Sequence, residues 1–304
     1  MHYDAAPTKT ISPRSRAVIA LVIANVALAS GPLFVREADV GPVAAGFWRI
    51  ALATPVFLAI AVMMGDKPVS GARGLWGVLA IAGVAFAADL SSWHVGILHT
   101  TLANSTLFGN SATLIFPIYG FVAARMWPTR LQGLALLLAA IGAALLLGRS
   151  ASLSADNLTG DLLCMLAGVL YAVYFVFMAR ARERLSPITA LALSSLATIP
   201  PLLILALAMG ETVMPGNWTP VVVLAIVSQL IGQGCMIYAL GHLSPLVIGL
   251  ALLIQPVVAA ALGWAIYDER LATADIIGAI LVAVALVLVR SSEVASADKE
   301  PKSA

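Results

Sequence analysis

Ten apolar stretches, each long enough to cross a bilayer, follow one another along the 304-residue chain with short loops between them. A crossing helix needs about 20 apolar residues for a hydrocarbon core of about 30 Å. The spans are predicted near 17–35, 44–64, 75–97, 102–124, 131–148, 161–180, 187–209, 219–240, 246–266 and 274–289. With 61% hydrophobic and only 11% charged residues, and a mean hydropathy of +0.99, lipid must be the solvent for most of the chain. Membrane barrels need alternating strands of about ten residues, which runs such as Leu134–Leu147 do not show. The sequence predicts an all-α polytopic membrane protein.

Orientation follows from the cations. If the loops alternate between the two sides, Lys9, Arg14, Arg16, Lys67, Arg73, Arg125, Arg130, Arg180, Arg182, Arg184, Arg290, Lys299 and Lys302 share the side of the N-terminus. Arg36, Arg149 and Arg270 fall on the other. Thirteen against three predicts both termini in the cytoplasm, at the plasma (inner) membrane. Miscounting one helix would scramble that segregation. The pI of about 8.6 reflects this bias rather than any affinity for nucleic acid.

The polar loop 149–160 divides five spans from five. Because five is odd, a five-helix repeat enters the membrane the opposite way in the second half. The expected plan is a cytoplasmic segment 1–16, a first repeat 17–148, an external linker 149–160, a second repeat 161–290 and a disordered cytoplasmic tail 291–304. Traces of the repeat are Pro117 ahead of Arg130-Leu131 beside Pro256 ahead of Arg270-Leu271, and the similar ends 146–150 and 287–291. Inverted repeats are a recurrent transporter architecture with the substrate near midplane.

Several function classes drop out. Cys164 and Cys235 both lie in spans, as buried thiols with no metal spacing. The four histidines form no His-Glu-x-x-His motif, and neither a Gly-x-Ser-x-Gly motif nor a nucleotide-binding loop is present. The chain is read as neither an enzyme nor an ATP-driven pump, and as needing no cofactor. Ala27-Leu28-Ala29 resembles a signal-peptidase site, but the uncharged run continues to Val35, too long for a signal core, so the first helix is expected to be retained. A sensor or assembly subunit normally appends a soluble domain, which the tail 291–304 does not supply.

Polar residues inside the spans mark the candidate site. Asp89 lies about two-thirds along the third span, on one face with Ser92 and Trp93. It is read either as the ligand of a substrate ammonium or proton, or as an ion-pair partner of Arg49. Arg49, near the outer start of the second span, is read as snorkelling or paired, with a substrate carboxylate as the alternative. His94 sits near the outer end, where an imidazole is hydrated, and is a second proton-coupling candidate or an interfacial hydrogen-bonding residue. In the polar fourth span Thr106, Asn110 and Thr113 share one face while Asn104 and Ser111 share another. Asn110 and Thr106 are assigned to substrate. Gln229 and Gln233, one turn apart, are expected to line a water-filled pathway. Tyr171 and Tyr174 share a face as cavity wall or core. Pro117 and Pro256 are hinge candidates or static kinks. Ala274-x-x-x-Gly278 and Ala279-x-x-x-Ala283 would let the tenth span pack closely.

In order and spacing these patterns resemble the EamA-like family of the drug/metabolite transporter superfamily over about 17–290. The resemblance rests on Val40–Arg49 entering the second span, Asp89-Leu-Ser-Ser-Trp93-His94, Thr101–Thr106 with Asn110, Ser228–Gly234 followed by Tyr238 and His242, and Gln255-Pro256 with Trp264 and Glu269. It implies ten helices in two inverted five-helix repeats, forming a secondary carrier that usually exports small metabolites. One position departs: Thr129 stands where the family often carries an acidic residue, as Glu269 does in the second half. The expected function is export of small, amino-acid-like or related amphipathic compounds by alternating access around a central polar cavity. The expected partners are that solute, the bilayer and a coupling proton. Import of the same class is the alternative.

Overall fold

The computed structural model describes residues 12–99, 105, 108–148 and 155–267, with scattered positions between 273 and 288. Every element among them is helical: α1 Pro13–Ala29, α2 Gly31–Glu37, α3 Pro42–Met63, α4 Pro68–Gly71, α5 Trp76–His99, α6 Ala112–Ala124 and α7 Arg130–Gly148. After these come α8 Ala155–Arg182, α9 Pro187–Ala208, α10 Trp218–Leu224, a π-helix Ala225–Gln233, α11 Gly234–Leu240, α12 Pro245–Ala251 and α13 Ile254–Tyr267. Among the described residues six spans are long and apolar enough to cross a membrane: Pro13–Glu37, Pro42–Met63, Trp76–His99, Leu158–Arg182, Pro187–Ala208 and Trp218–Leu240. They coincide with six of the expected ones. The stretches expected at 102–124, 131–148, 246–266 and 274–289 carry shorter, broken or partly described helices. The packing motifs of the tenth span and the tail fall largely outside the described residues.

Large apolar side chains face outward where water would oppose them: Ile19, Val22, Ile23 and Val26 on α1, Ile204 and Leu207 on α9. Such a belt suits acyl chains, which make no hydrogen bonds with a helix that satisfies its own backbone. Inside, Phe57, Phe86, Phe116, Tyr174, Phe175 and Met178 form one continuous core.

Helix α5 lies against both α8 and α9, and glycines set those distances. A Cβ on Gly83 would stand 2.5 Å from the Ala197 Cβ and 2.7 Å from the Ser194 carbonyl oxygen of α9. A Cβ on Gly96 would stand 2.6 Å from Cys164 Sγ of α8. Backbones approach this closely in membranes only through such small residues.

Helices α3 and α9 cap each other. The carboxylate of Glu211, just past α9, accepts from the N–H groups of Val43 (3.2 Å) and Ala44 (2.7 Å) in the first turn of α3. Asp66, just past α3, accepts from Ser186 Oγ and, at 2.6 Å, from Thr189 Oγ1 at the start of α9. The two helices therefore run antiparallel, each N-terminus meeting the other's C-terminal carboxylate, as the helix dipole favours. Both end alike. Gly65 (φ +83°) and Gly210 (φ +70°) take the left-handed conformation that closes a helix. The next N–H groups, of Asp66 and Glu211, reach back to Ala61 and Ala206. In sequence Gly41–Asp66 and Ser186–Glu211 superpose without a gap, matching Pro42 with Pro187, Pro55 with Pro200, Met64 with Met209 and Gly65 with Gly210.

The two donated hydroxyls hold the Asp66 carboxyl below its ordinary range. A depressed folded-state value means that the ionised group stabilises the fold above about pH 4, and that this is lost as pH falls through the lowered value. Asp66→Asn keeps the hydrogen-bonding oxygen and removes the charge. The variant is expected to unfold at lower temperature than the parent at pH 7, by a stability difference of no more than about 1 kcal/mol for so accessible a group. Thermal unfolding in detergent at pH 7 and pH 3 should show that difference close at the acid end. A gap that widens in acid would refute the cap.

Candidate functional site

A cavity of about 80 Å³ lies among helices of both halves. A single water needs about 10–15 Å³ by such a measure, so the space holds several waters or a small solute. From α3 comes Arg49, from α5 come Phe86, Asp89, Leu90 and Trp93, and Gly109 and Asn110 precede α6. The second half adds Tyr171 of α8 with Gln255 and Ala259 of α13. Asp89 is 8% and Arg49 4% exposed. One acid and one base thus face a single space inside the membrane, where each is costly unless met by a partner.

Local structure aims these groups. Asp89 and Trp93 stand one turn apart on α5, and Phe86 is three residues before Asp89, so all three share a face. The Trp93 indole needs Gly109 opposite it, where a Cβ would lie 3.0 Å from Nε1. Arg49 donates from Nε to Gln229 Oε1 at 3.1 Å, and the Phe86 ring centroid lies 5.9 Å from its Cζ. Tyr171 donates to Gln233 Oε1 at 3.0 Å. Both glutamines belong to the π-helix, a local widening common at functional sites. They form a buried layer behind Arg49 and Tyr171, with each side-chain Nε2 lacking a protein partner. An aromatic cluster adjoins the cavity: Phe86 stacks on Tyr174 at 4.4 Å, and Tyr171 and Phe116 meet Phe175 at 4.2 Å and 5.2 Å, tilted.

The EamA-like transporter family model matches residues 15–148 and again 158–291, one copy on each half of the chain. The chain belongs to the EamA-like transporter family. It is also 24% identical over 238 residues to a protein of Archaeoglobus fulgidus named an uncharacterized transporter, covering 76% of this chain and 82% of that one. A solved structure described only as a crystal structure of a protein superposes with a TM-score of 0.76 at 18% identity. It covers 91% of this chain and 96% of that chain, a likeness of fold. The EamA-like chain is thus a multi-pass transporter that sits in lipid.

Of the residues singled out by sequence, the fold brings Asp89, Trp93, Asn110 and Tyr171 to the cavity. Gln229 and Gln233 stand in the layer behind it and Tyr174 in the adjoining aromatic cluster, all three buried. Thr106 and Asn104 lie outside the described residues. His94 turns away. It is fully buried, with Nδ1 2.7 Å from the Pro42 carbonyl oxygen, which only accepts, so Nδ1 carries the proton. The expected hydrated imidazole is replaced by a tether between α5 and α3. Arg49 does not snorkel, because Gln229 holds it inward, and it forms no direct ion pair with Asp89 among the described residues. Pro117 lies in the continuous helix α6, while Pro256 follows a break at Leu252–Leu253 rather than kinking an unbroken helix.

Sequence reasoning passes over Asn25 and names Gln255 only for the family resemblance, yet the two are joined at 3.0 Å across α1 and α13 while Asn25 donates to the Leu21 carbonyl at 2.7 Å. Asn25 interrupts an otherwise apolar run, and that was the available signal.

Proposed function

We propose that this EamA-like transporter is a secondary carrier that exports small, amino-acid-like or related amphipathic metabolites. In this reading it sits in the plasma membrane with both termini cytoplasmic and works by alternating access between two inverted five-helix halves. The observation that carries the reading is the cavity. It draws Arg49 and Asp89 from the first matched segment and Tyr171 and Gln255 from the second, so motion of one half against the other would open and close it. The reciprocal caps of α3 and α9 support such a motion, since each ties one end of the pair and each can release while the other holds. The aromatic cluster would be the barrier on the closed side. Asp89 is the site for a substrate ammonium or a coupling proton, and Trp93 and Asn110 contact the solute. The excess of basic residues on one side of the predicted membrane supports the orientation.

Cells expressing the chain and overloaded with single amino acids and related metabolites, fed as peptides or esters, test direction. Export predicts improved growth and raised external solute for at least one compound, lost in Asp89→Asn at equal membrane abundance. Worsened growth together with faster uptake of the same compound would reverse the direction to import.

A further inference from the structure

Among the described residues Arg49 makes no direct ion pair. It is buried at membrane depth, where a guanidinium needs its charge met. Its neighbours are a neutral amide at 3.1 Å and an aromatic face, and the one carboxylate lining the same cavity is not within ion-pair distance. A guanidinium has five N–H donors in a planar fork. Gln229 takes the one on Nε, which leaves the donors of both Nη groups on a side chain that lines the cavity. A guanidinium that faces a cavity selects an acceptor with negative charge, and its fork matches two oxygens on one atom.

We propose that Arg49 binds the anionic group of the transported solute, a carboxylate or an oxyanion of similar shape, with Gln229 as its positioning residue and Asp89 as the opposite pole. The assignment rests on the reading of the cavity as the transport site. Two poles in one small cavity favour a solute that carries both signs, because an amine lacking the anion leaves Arg49 unpaired and an acid lacking the amine leaves Asp89 unpaired.

The test reads the cavity's electrostatics without knowing the solute. In full-length protein lacking Cys164 and Cys235, Ala259→Cys places a thiol on the cavity wall. Its reaction rates with sulfonatoethyl (anionic), trimethylammonioethyl (cationic) and methyl (neutral) methanethiosulfonate are measured in detergent. Arg49→Gln should lower the anionic-to-cationic ratio at least tenfold, Arg49→Lys should hold it within threefold, and Gln229→Met should fall between. Asp89→Asn should raise it. In the Asp89→Asn background, with Arg49 intact, the ratio should exceed that of glutathione in free solution at least tenfold, which decides the matter even where Arg49→Gln fails to fold. A ratio at or below that of glutathione, or one indifferent to Arg49→Gln in folded protein, would overturn the assignment. So would a thiol that not even the neutral reagent reaches. Transport by a protein with an indifferent ratio sinks the anion site alone, whereas a strong ratio in a protein that moves no solute sinks the transport reading.

Discussion

Asp89→Asn is expected to insert at normal abundance and to lose ten- to a hundredfold of transport. Asparagine keeps the shape of aspartate and an accepting oxygen, so packing on α5 between Phe86 and Trp93 is undisturbed. What disappears is a charge in a cavity of about 80 Å³, where it is 8% exposed. A hydrogen bond to a charged group contributes about 1.5–3 kcal/mol, and each 1.4 kcal/mol is tenfold. Because Asp89 and Arg49 face the cavity without a direct ion pair, neutralising both should not restore what neutralising one removes. Asp89→Asn/Arg49→Gln is therefore expected to be as inactive as the single variant. Recovery in the double variant would show that the two form a structural pair, and full transport in Asp89→Asn would remove the carboxylate from the mechanism.

Gly83→Ala is expected to destabilise the bundle although alanine is the better helix former. On propensity alone the change gains about 1 kcal/mol. The added Cβ, however, would lie 2.5 Å from the Ala197 Cβ, 2.7 Å from the Ser194 oxygen and 2.9 Å from the Ala197 carbonyl carbon. Most of that is backbone, which cannot rotate aside, so α5 and α9 must separate. Overpacking of this kind costs about 1–3 kcal/mol, and Gly83→Leu should prevent recovery of monodisperse protein. Gly77→Ala on the same helix meets nothing within 4 Å and is the control. It should leave thermal stability in detergent unchanged or slightly raised. Equal effects at the two positions would mean that helix propensity, rather than the α5–α9 contact, sets the outcome.

Chain-wide order was legible because lipid enforces it. Length and hydropathy place 187–209 within a residue of Pro187–Ala208, and Ser186-Pro187 announces its own cap. Asp89, Trp93, Asn110 and Tyr171 stood out because polar groups in apolar spans are few, and the fold brings all four to one cavity. The partners of Arg49 and His94 were not. Hydropathy fixes depth but not azimuth, and whether Arg49 meets Asp89 or Gln229 depends on the rotation of α5 and of the π-helix, which no local pattern encodes. The breaks at Ser30 and at Leu252–Leu253 share that difficulty, since tertiary contacts decide them. The likeness of α3 and α9 is written in the gapless match of Gly41–Asp66 with Ser186–Glu211, but not their contact. Its functional content, two carboxylates each capping the other's helix, needed coordinates.

The most direct test is counterflow. Purified protein in liposomes loaded with one unlabelled candidate solute is diluted into a trace of the same solute, labelled, with neither ATP nor an imposed ion gradient. A carrier with one cavity shared between the two sides should draw label inward to above its equilibrium level, transiently, for a solute bearing both a carboxylate and an amine, and should fail to do so for the matching amide. Label that merely equilibrates would describe a channel. No accumulation above protein-free liposomes across a panel of such solutes would contradict the account.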